Sequence, residues 1–423
     1  LAEAGLRPIL VERGAAVEDR VRIVAAFDAG APLDPTTNIQ FGEGGAGTFS
    51  DGKLNTGTKS PHIRHVLQAF VDAGAPRDIL VDAKPHIGTD LLVDVVRNLR
   101  RRIEAAGGEV RFLTQLTALR LEGGRVTAAV LRDGVTGAET VLPARRVVLA
   151  CGHSARDTFA MVQNLGALME RKPFAVGVRI EHAQEAIDRA QYGAAAGHEA
   201  LGAADYKLAV HLPDGRGVYT FCMCPGGSVV AAASETGRAV TNGMSLHARD
   251  GENANAAVVV SVNEADFGGD ARRAIAFQRE LETKAYAAGG GGYAAPAENV
   301  RSFLEGAGTL HAGVVKPTYP RGVTACDLGS LLPGELTGAL RAGLSAFERK
   351  LRGYTAPEAV LTGLETRTSS PVRLPRDENG ESTDVRGVWP CGEGPGYAGG
   401  IMSAAVDGLR AAARVAQNFS PAP

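Results

Sequence analysis

The chain has 423 residues, of which 44% are hydrophobic and 22% are charged, a composition typical of a globular protein with a sizeable core. Its 45 Lys and Arg residues nearly balance its 47 Asp and Glu residues, so bulk electrostatics argue against a nucleic-acid or membrane-surface partner. No apolar run approaches the length of a membrane span, and five scattered cysteines fit a reducing compartment. We therefore expect a cytoplasmic protein. The 54 glycines indicate either many tight turns or backbone that closely approaches a large ligand.

The first residues, LAEAGLRPILVERG, predict the end of a helix followed by a buried strand. Gly5 is the residue type that ends helices in the left-handed conformation, and Pro8 to Val11 form a short apolar run. In a dinucleotide-binding βαβ unit, an acidic residue closes the second strand and bonds ribose hydroxyls, about 20 residues after the glycine loop. Either Glu12 has this role, with the glycine loop upstream of residue 1, or it is a solvated carboxylate at a strand end.

A second stretch, NIQFGEGGAGTFSDGKLNTG, is rich in glycine. Three of its glycines match the G-x-G-x-x-G spacing, namely Gly42, Gly44 and Gly47. The dinucleotide fingerprint needs a strand before it and a helix after it, and here a Ser-, Asp- and Gly-rich loop follows. We interpret the stretch as a loop whose N–H groups, with Thr48 and Ser50, cradle an anion, in preference to a mobile surface loop. Lys53 would add a point charge.

The middle of the chain contains a different pattern of predicted helices and strands. Helical spacing of apolar residues predicts a helix over 90–106, ended by a glycine pair. Short alternating segments separated by glycine turns predict an antiparallel meander over about 109–143. Residues 171–355 contain further strand-like runs and a helix near 270–287. We interpret them as a second domain inserted into the first.

The stretch VVLACGHSARD predicts a buried strand that runs into a glycine turn. Gly152 allows the chain to pass close to another backbone or a ligand. Cys151 is interpreted as a small buried residue. His153 invites a catalytic role, but a histidine beside a turn is more often structural.

Near the C-terminus, GVWPCGEGPGYAGGIMSAAVDG has strand, glycine loop and helix in the order of a nucleotide-binding turn. A helix that begins near Ile401 would direct unpaired N–H groups and its positive dipole end toward the loop. Glu393 would offer a carboxylate to ligand hydroxyls. An ordinary strand–helix turn would not need five glycines in nine residues, so we favour a ligand site.

Two pairs of residues leave alternatives open. Cys222 and Cys224 share one face of a strand, which allows a redox disulfide or a metal site. No second ligand pair at zinc-like spacing accompanies them, so we favour two packed thiols and no metal. Arg367 and Arg373, in ETRTSSPVR, are either anchors for an anionic group or exposed loop residues.

Together these stretches resemble an uncharacterised family of NAD(P)/FAD-dependent dehydrogenases within the flavoproteins that have a glutathione-reductase-type FAD fold. The resemblance spans nearly the whole chain and includes KPHIGTD, CMCPGGSVV and VTNGMS. It implies an α/β fold, in which a Rossmann-like FAD-binding domain with a parallel sheet and a β-meander carries an inserted α+β substrate domain. The implied FAD-binding parts are 1–170 and 356–423, and the implied inserted substrate or cap domain is 171–355. The family's first strand and glycine loop are absent from the sequence, so we expect an N-terminally truncated member that binds FAD weakly.

The resemblance also implies roles for individual residues. Glu12 would bind the adenosine ribose, Leu116 would contact adenine through its backbone, and Glu393 would contact the ribityl chain. The N–H groups of 399–402 would face the pyrimidine edge of the flavin, where the helix dipole favours the reduced form. The expected cofactor-binding residues are Glu12, Arg13, Arg20, Gly42, Gly44, Gly45, Gly47, Thr48, Ser50, Asp51, Gly52, Leu116, Cys151, Gly152, Gly392, Glu393, Gly399, Gly400, Ile401 and Met402. Lys53 and Arg367 are the catalytic candidates.

We therefore predict an FAD-dependent oxidoreductase that transfers hydride or electrons between the flavin and a small-molecule substrate. Because the inserted segment has no second dinucleotide fingerprint, NAD(P)H as electron donor would visit the substrate pocket transiently. Two alternatives remain, a flavin-binding module without turnover and a tRNA-modifying flavoenzyme. The charge balance speaks against the second.

Overall fold

The computed structural model describes residues 1–417 and 419 as an alternation of helices and strands. The α-helices are α1 (Val17–Asp28), α2 (His62–Asp72), α3 (Thr89–Ala105), α4 (Arg156–Asn164), α5 (Gln184–Tyr192), α6 (Glu264–Phe267), α7 (Ala271–Ala288), α8 (Val300–Glu305), α9 (Gly334–Lys350) and α10 (Ile401–Gln417). The strands are β1 (Ile9–Val11), β2 (Glu109–Arg111), β3 (Thr114–Glu122), β4 (Arg125–Asp133), β5 (Glu139–Pro143), β6 (Val147–Leu149), β7 (Glu170–Arg171), β8 (Phe174–Ala183), β9 (Ala209–His211), β10 (Gly217–Cys224), β11 (Gly227–Ala231), β12 (Thr241–Ser245), β13 (Asn253–Val262), β14 (Ala295–Asn299), β15 (Val323–Ala325), β16 (Val360–Glu365), β17 (Val372–Arg373) and β18 (Val388–Pro390).

The largest sheet has seven strands in the order β15-β14-β16-β8-β13-β10-β9. It is antiparallel except for the β14–β15 pair. Its long central strands β8 and β13 are buried almost throughout, which explains the apolar stretches at 174–178 and 256–260 within them. The main hydrophobic core lies where α7 and α9 pack on this sheet, through residues such as Leu281, Leu340 and Leu344.

The large sheet extends past residue 355. Strand β16 lies between β14 and β8, near the middle of the sheet. The sheet thus combines the strands of the predicted inserted segment with one strand from the segment 356–423.

Two short parallel pairs lie outside the large sheet, β1 with β2 and β6 with β18. The parallel sheet expected from the sequence therefore consists of two separate pairs. The carboxyl ends of β1, β6 and β18 lead into Glu12, Gly152 and Gly392 respectively. Loops that follow the carboxyl ends of parallel strands are the usual ligand-binding positions in α/β folds.

The predicted meander is wrong in its first strand. Strands β3, β4 and β5 form an antiparallel three-stranded sheet, as expected. Strand β2 instead pairs in parallel with β1, with Ile9 opposite Glu109. The reason is that the turn after α3 returns the chain alongside β1, where the N–H of Glu109 donates to the carbonyl of Pro8.

The longer helices agree with the sequence. Helices α3 and α7 lie within one residue of the predicted bounds, and α10 begins at Ile401. The 42–53 loop holds no α-helix after its glycines, only a short 3₁₀-helix over Gly45–Phe49. Throughout residues 1–417 and 419, no helix combines the length and apolar character needed to cross a membrane.

Candidate functional site

The glycine-rich loop begins against the end of strand β1. One carboxylate oxygen of Glu12 accepts hydrogen bonds from the N–H groups of Gly14 at 2.8 Å and Gly42 at 3.1 Å. The backbones of the two glycines touch, since a Cβ on Gly14 would lie 2.6 Å from the Cα of Gly42. Glu12 therefore fixes the loop to the strand end, and its second carboxylate oxygen is the one left to meet a ligand.

Arg20, on helix α1, holds the backbone of the same loop through hydrogen bonds. Its buried guanidinium donates to the carbonyls of Asn38, Ile39 and Glu43 at 2.6–2.9 Å. A Cβ on Gly42 would lie 2.5 Å from the Arg20 side chain, which explains the glycine there. Arg20 thus supports the loop backbone, and its predicted contact with the cofactor stays a prediction.

The polar side chains of the loop bond mainly within the protein. Ser50 donates to the carbonyl of Gly47 at 2.7 Å and accepts from the N–H of Gly52 at 3.0 Å. Thr48 is buried, and its carbonyl accepts from the hydroxyl of Thr89 at 2.7 Å. These hydroxyls stabilise the shape of the loop, so the groups that remain to bind an anion are backbone N–H groups.

Three glycine-containing loops contact one another. A Cβ on Gly47 would meet Ile401 at 3.2 Å, and a Cβ on Gly394 would lie 2.5 Å from the carbonyl of Gly152. These contacts join the 42–53 loop, the turn after β6 and the loop before α10. In these loops, a Cβ added at any of five glycines would meet nothing within 4 Å, namely at Gly45, Gly152, Gly392, Gly399 and Gly400. We call this set the glycine cradle.

The N-terminus of α10 opens onto the glycine cradle. Gly399 and Gly400 are exposed directly before Ile401, and Met402 is buried in the core beside Val406. A helix of 17 residues presents unpaired N–H groups and a positive dipole end at its start. The arrangement suits a negatively charged ligand group.

Glu393 is a half-buried carboxyl in the loop before α10. Burial raises its pKa to about 7, although the charge of Lys172 acts in the opposite direction. Within the described part of the chain its carboxyl forms no hydrogen bond to another residue. Near neutral pH it can therefore either donate to or accept from a ligand hydroxyl.

Lys53 lies at the far end of the glycine-rich loop, between an acid and a strand. Its ammonium is 3.0 Å from a carboxylate oxygen of Asp51 and donates to the carbonyl of Met223. Burial raises the pKa of Asp51, but Lys53 and Arg249 outweigh burial and hold it below its ordinary value. Burial lowers the pKa of Lys53, but the sulfurs of the Cys222–Cys224 pair and Asp51 outweigh burial and raise it. The amine is therefore a fixed positive charge at neutral pH.

Arg249 and the KPHIGTD segment hold the Asp51–Lys53 cluster in place, a role that local sequence patterns did not predict. Arg249 donates to both carboxylate oxygens of Asp51. The ring of His86 stacks on that of His247, with 5.2 Å between the centroids, and Asp90 accepts from the N–H of His247 at 2.9 Å. In the sequence, only the unusually long KPHIGTD motif pointed to a structural or functional role for this segment.

The predicted Cys222–Cys224 pair borders the same cluster. Cys222 has φ of 44°, which is unusual for a residue other than glycine, and its carbonyl accepts from Arg179 at 3.1 Å. The Cys224 sulfur donates to the Cys222 carbonyl at 3.3 Å. The pair is thus more than two thiols in a regular strand.

Arg367 belongs to a different cluster from Lys53. Its guanidinium makes two 2.9 Å hydrogen bonds to Glu282 and also donates to Ser154 and Ser234. Arg156 pairs with the same buried Glu282 at 2.7 Å. The structure therefore does not bring the two catalytic candidates into a shared cluster.

His153 lies beside the Arg367 cluster. Burial, reinforced by the charges of Arg367 and Arg156, lowers the pKa of His153 to about 3, so its imidazole is neutral at physiological pH. Its Nε2 atom is buried and has no hydrogen-bond partner among residues 1–417 and 419. An unpartnered buried nitrogen next to Gly152 is a candidate contact for a ligand.

A cavity of about 290 Å³ opens beside this cluster. Its lining includes Phe41 and Ser154, together with four arginines and two carboxylates, which are Arg13, Arg156, Arg238, Arg279, Asp157 and Glu235. Arg13 lies over the ring of Phe41 and donates to Asp157 at 2.9 Å. The excess of arginine suits an anionic ligand.

The remaining predicted residues lie around these features. Leu116 pairs with Leu131 between β3 and β4. Cys151 is half-buried, and burial raises its pKa to about 12, which makes it an inert thiol. Arg373 is exposed and lies over the ring of Tyr397 at 5.3 Å. In the described ranges, no group of three or more His, Cys, Asp and Glu side chains is arranged to hold a metal ion.

Comparison with known proteins gives one long match and several distant ones. Residues 173–368 match the family described as FAD-dependent protein, C-terminal domain-like. An uncharacterised protein from Clostridium beijerinckii (strain ATCC 51743 / NCIMB 8052) is 47% identical over 421 residues, which cover 99% of this chain and 78% of that protein.

The similar solved structures include the glycerol-3-phosphate dehydrogenase from Bacillus halodurans complexed with FAD and the glycine oxidase from Bacillus cereus ATCC 14579. The first is 10% identical with a TM-score of 0.27, over 60% of this chain and about half (47%) of the dehydrogenase. The second is 10% identical with a TM-score of 0.33, over 99% of this chain and 93% of the oxidase. The backbones differ too much at these scores for either structure to support a functional argument.

Proposed function

This chain belongs to the same family as the Clostridium beijerinckii protein, and its residues 173–368 match FAD-dependent proteins, so we propose that it is an oxidoreductase that binds FAD in the glycine cradle. The cofactor of the family is FAD. The cradle is the observation that carries the proposal, because three loops converge there and their glycines leave open space at the ends of parallel strands. A large nucleotide ligand needs such close access to backbone N–H groups.

Named residues fit this cofactor. The N-terminus of α10 would face a negatively charged part of FAD, and Glu393 would meet hydroxyl groups of its ribityl chain. The free carboxylate oxygen of Glu12 and the unpartnered Nε2 of His153 are further candidate contacts. Bound there, FAD would supply hydride or electron transfer. Lys53 would contribute a fixed positive charge near the cradle.

Titration of the protein with FAD tests the proposal directly. FAD fluorescence would be followed on addition of wild-type protein, of a Gly399→Leu variant and of a Gly202→Leu variant. A Cβ at either glycine meets nothing within 4 Å, but only Gly399 lies in the cradle. We expect Gly399→Leu to weaken FAD binding by about tenfold or more, since the new side chain would occupy cofactor space.

The two leucine variants also show what would contradict the proposal. Gly202→Leu should bind FAD like the wild-type protein, and all three proteins should have the same urea midpoint. If wild-type protein does not bind FAD, or if Gly399→Leu binds it equally well, the proposed cradle is wrong. A flavin that binds but is never reduced by any donor would favour the flavin-binding module over the enzyme.

We propose that the substrate carries an anionic group and binds in the arginine-lined cavity. The cavity lies between Arg13 and Ser154 on one side and Ser234 and Arg279 on the other, so it would lie between the FAD-binding part and the predicted inserted part. An Arg238→Gln variant should lose protection from thermal unfolding by sulfate or phosphate, while Arg22→Gln, an exposed position on α1, should retain it. Equal protection of both variants would remove the support for an anionic substrate.

A further inference from the structure

Strand β10 ends in a β-bulge that contains both cysteines. Phe221 pairs with Ala257 and Cys224 with Asn255, so one extra residue is fitted between Phe221 and Cys224. The bulge includes the left-handed backbone of Cys222, with φ of 44°. Such a conformation costs about 1–3 kcal/mol in a residue other than glycine and persists only where neighbouring groups enforce it.

Two cations enforce the bulge through its carbonyl groups. Arg179 donates to the carbonyl of Cys222 at 3.1 Å, and Lys53 donates to the next carbonyl, that of Met223. Arg179 is itself fully buried and forms two hydrogen bonds to Glu365, at 2.8 and 3.1 Å. The position of both cysteines is therefore set by charged groups from three separate segments.

The two sulfur atoms occupy different environments. Cys222 is half-buried, whereas Cys224 has no exposed surface. Despite burial, interaction with the Cys224 side chain holds the pKa of Cys222 well below its ordinary value, with help from Lys53 and Arg179. The same interaction, together with burial, raises the pKa of Cys224. Asp51, Glu365 and Glu393 are the negative groups around the pair.

We propose that Cys222 and Cys224 are a redox-active dithiol–disulfide pair that exchanges with a low-molecular-weight disulfide. The accessible Cys222 thiolate attacks one sulfur of the disulfide, which forms a mixed disulfide and releases one thiolate that takes up a proton. The Cys224 thiol then gives up its proton and attacks the sulfur of Cys222. The second substrate thiol leaves, and the Cys222–Cys224 disulfide remains. Two electrons have passed from the pair to the substrate, which is now two thiols.

The location of the pair connects it with the glycine cradle. Lys53 belongs to the 42–53 loop and donates to the carbonyl of Met223, the residue between the two cysteines. Return of the pair to the dithiol needs two electrons and two protons from a reductant. Reduced flavin is the reductant that we assign, and this part of the inference rests on the proposed function. Exchange with a disulfide does not.

Peptide mass spectrometry of wild-type protein tests the exchange without any variant. Trypsin releases residues 217–238 as one peptide, which contains both cysteines. The protein would be equilibrated in mixtures of reduced and oxidised glutathione, quenched with acid, alkylated and digested. We expect this peptide to lose two hydrogen atoms as the mixture becomes oxidising, while Cys151, Cys326 and Cys391 stay reduced and become alkylated.

Variants assign the roles of the two sulfurs. Cys224→Ser should stop at a mixed disulfide between Cys222 and glutathione, because the resolving thiol is gone. Cys222→Ser should leave Cys224 unmodified, because Cys224 is buried. Cys326→Ser, at a partly exposed free cysteine outside the bulge, should behave like the wild-type protein. Lys53→Gln should slow alkylation of Cys222 at pH 6 by about tenfold, since the pKa of Cys222 rises when the ammonium is lost.

Two results would overturn the proposal. One is a peptide that stays fully reduced in the most oxidising mixture, and the other is glutathione attached to both cysteines without an internal disulfide. FAD titration of the Cys222→Ser/Cys224→Ser variant keeps the two proposals apart. Normal FAD binding with no disulfide in the wild-type protein would reject the redox pair alone, whereas a disulfide without any FAD binding would reject the cradle alone.

Discussion

The carboxylate of Glu12 accepts a hydrogen bond from the backbone N–H of Gly42, which lies 30 residues further along the chain, at 3.1 Å. The same oxygen accepts from Gly14 at 2.8 Å. The end of β1 and the beginning of the glycine-rich loop are thus one hydrogen-bonded unit. Glu12, which the sequence predicted to bind a cofactor, therefore also stabilises the fold.

Replacement of Glu12 should therefore destabilise the protein even without a ligand. Glu12→Ala removes the acceptor of two backbone donors, and we expect the free energy of unfolding to fall by about 1.5–3 kcal/mol. Urea unfolding followed by circular dichroism would measure the change. Glu378→Ala, at an exposed loop position, is the matched control and should stay within about 0.5 kcal/mol of wild type. Equal midpoints for the two variants would contradict the structural role of Glu12.

Glu282 is the negative centre of a buried cluster, and its loss should be costly. Glu282→Gln removes the carboxylate that pairs with Arg367 in a buried site and leaves Arg156 its other pair, with Glu235, so we expect a loss of about 3–5 kcal/mol in the free energy of unfolding. The control is Glu280→Gln on the same helix, where the exposed pair with Arg273 should contribute at most about 1 kcal/mol.

The Glu282 cluster also predicts a response to acid. Although burial opposes it, the charges of Arg156 and Arg367 hold the pKa of Glu282 below its ordinary value. A carboxyl whose pKa is lower in the folded state than in the unfolded state stabilises the fold fully at pH values above its ordinary pKa. This contribution to the free energy of unfolding is lost as the pH falls from the ordinary pKa toward the folded-state pKa. Urea midpoints of wild-type protein should therefore decrease on acidification below about pH 5, and Glu282→Gln should show a smaller decrease. If the urea midpoints of wild type and Glu282→Gln fell equally with pH, the lowered pKa of Glu282 would be contradicted.

Glu393 should show the opposite dependence on pH. Burial raises its pKa to about 7, so folding favours the protonated carboxyl. The contribution of the protonated carboxyl to the free energy of unfolding is complete below the ordinary carboxyl pKa and is lost as the pH rises through 7. Glu393→Gln imitates the protonated form and should be more stable than wild type at pH 8, by up to about 3 kcal/mol, but not at pH 4. Unfolding of both proteins at the two pH values would decide, and a variant with no gain at pH 8 would contradict the raised pKa.

Arg20 offers a test of loop geometry at constant charge. Arg20→Lys keeps the positive charge but cannot reach three carbonyls at once, so we expect a loss of about 2 kcal/mol or more and faster amide exchange in residues 36–44. Hydrogen-exchange mass spectrometry would report the change segment by segment. Arg22→Lys, an exposed position on the same helix, should leave the exchange of residues 36–44 as in wild type. Unchanged exchange in Arg20→Lys would mean that other contacts hold the loop.

Local patterns allowed part of the fold to be predicted. Helix α10 begins at Ile401 as expected, because the strand, the glycine loop and the apolar spacing that define it are adjacent in sequence. Strand β2 was assigned to the wrong sheet, because its partner β1 lies about 100 residues away and a short alternating run fits either a meander or a parallel pair. The expected cofactor contacts stay predictions.

The charged clusters could not be predicted in the same way. Arg367 was equally compatible with an anion anchor and a surface loop, and only the tertiary fold surrounds it with Glu282, Ser154 and Ser234. The packed thiols expected at Cys222 and Cys224 follow from regular strand geometry. The bulge, and the carbonyl groups held by Lys53 and Arg179, depend on residues distant in the chain.

The contact between Lys53 and Met223 has a consequence for biosynthesis. The two residues are 170 positions apart, so the ribosome releases the 42–53 loop roughly 10–30 s before the strand that its lysine binds. Arg249, which pairs with Asp51, emerges later still. The nascent chain therefore carries an incomplete cluster while the 196 residues from 54 to 249 are added. We expect the loop to be cleaved readily by proteases in chains stalled before Met223, and to become resistant once the later segments have folded against it.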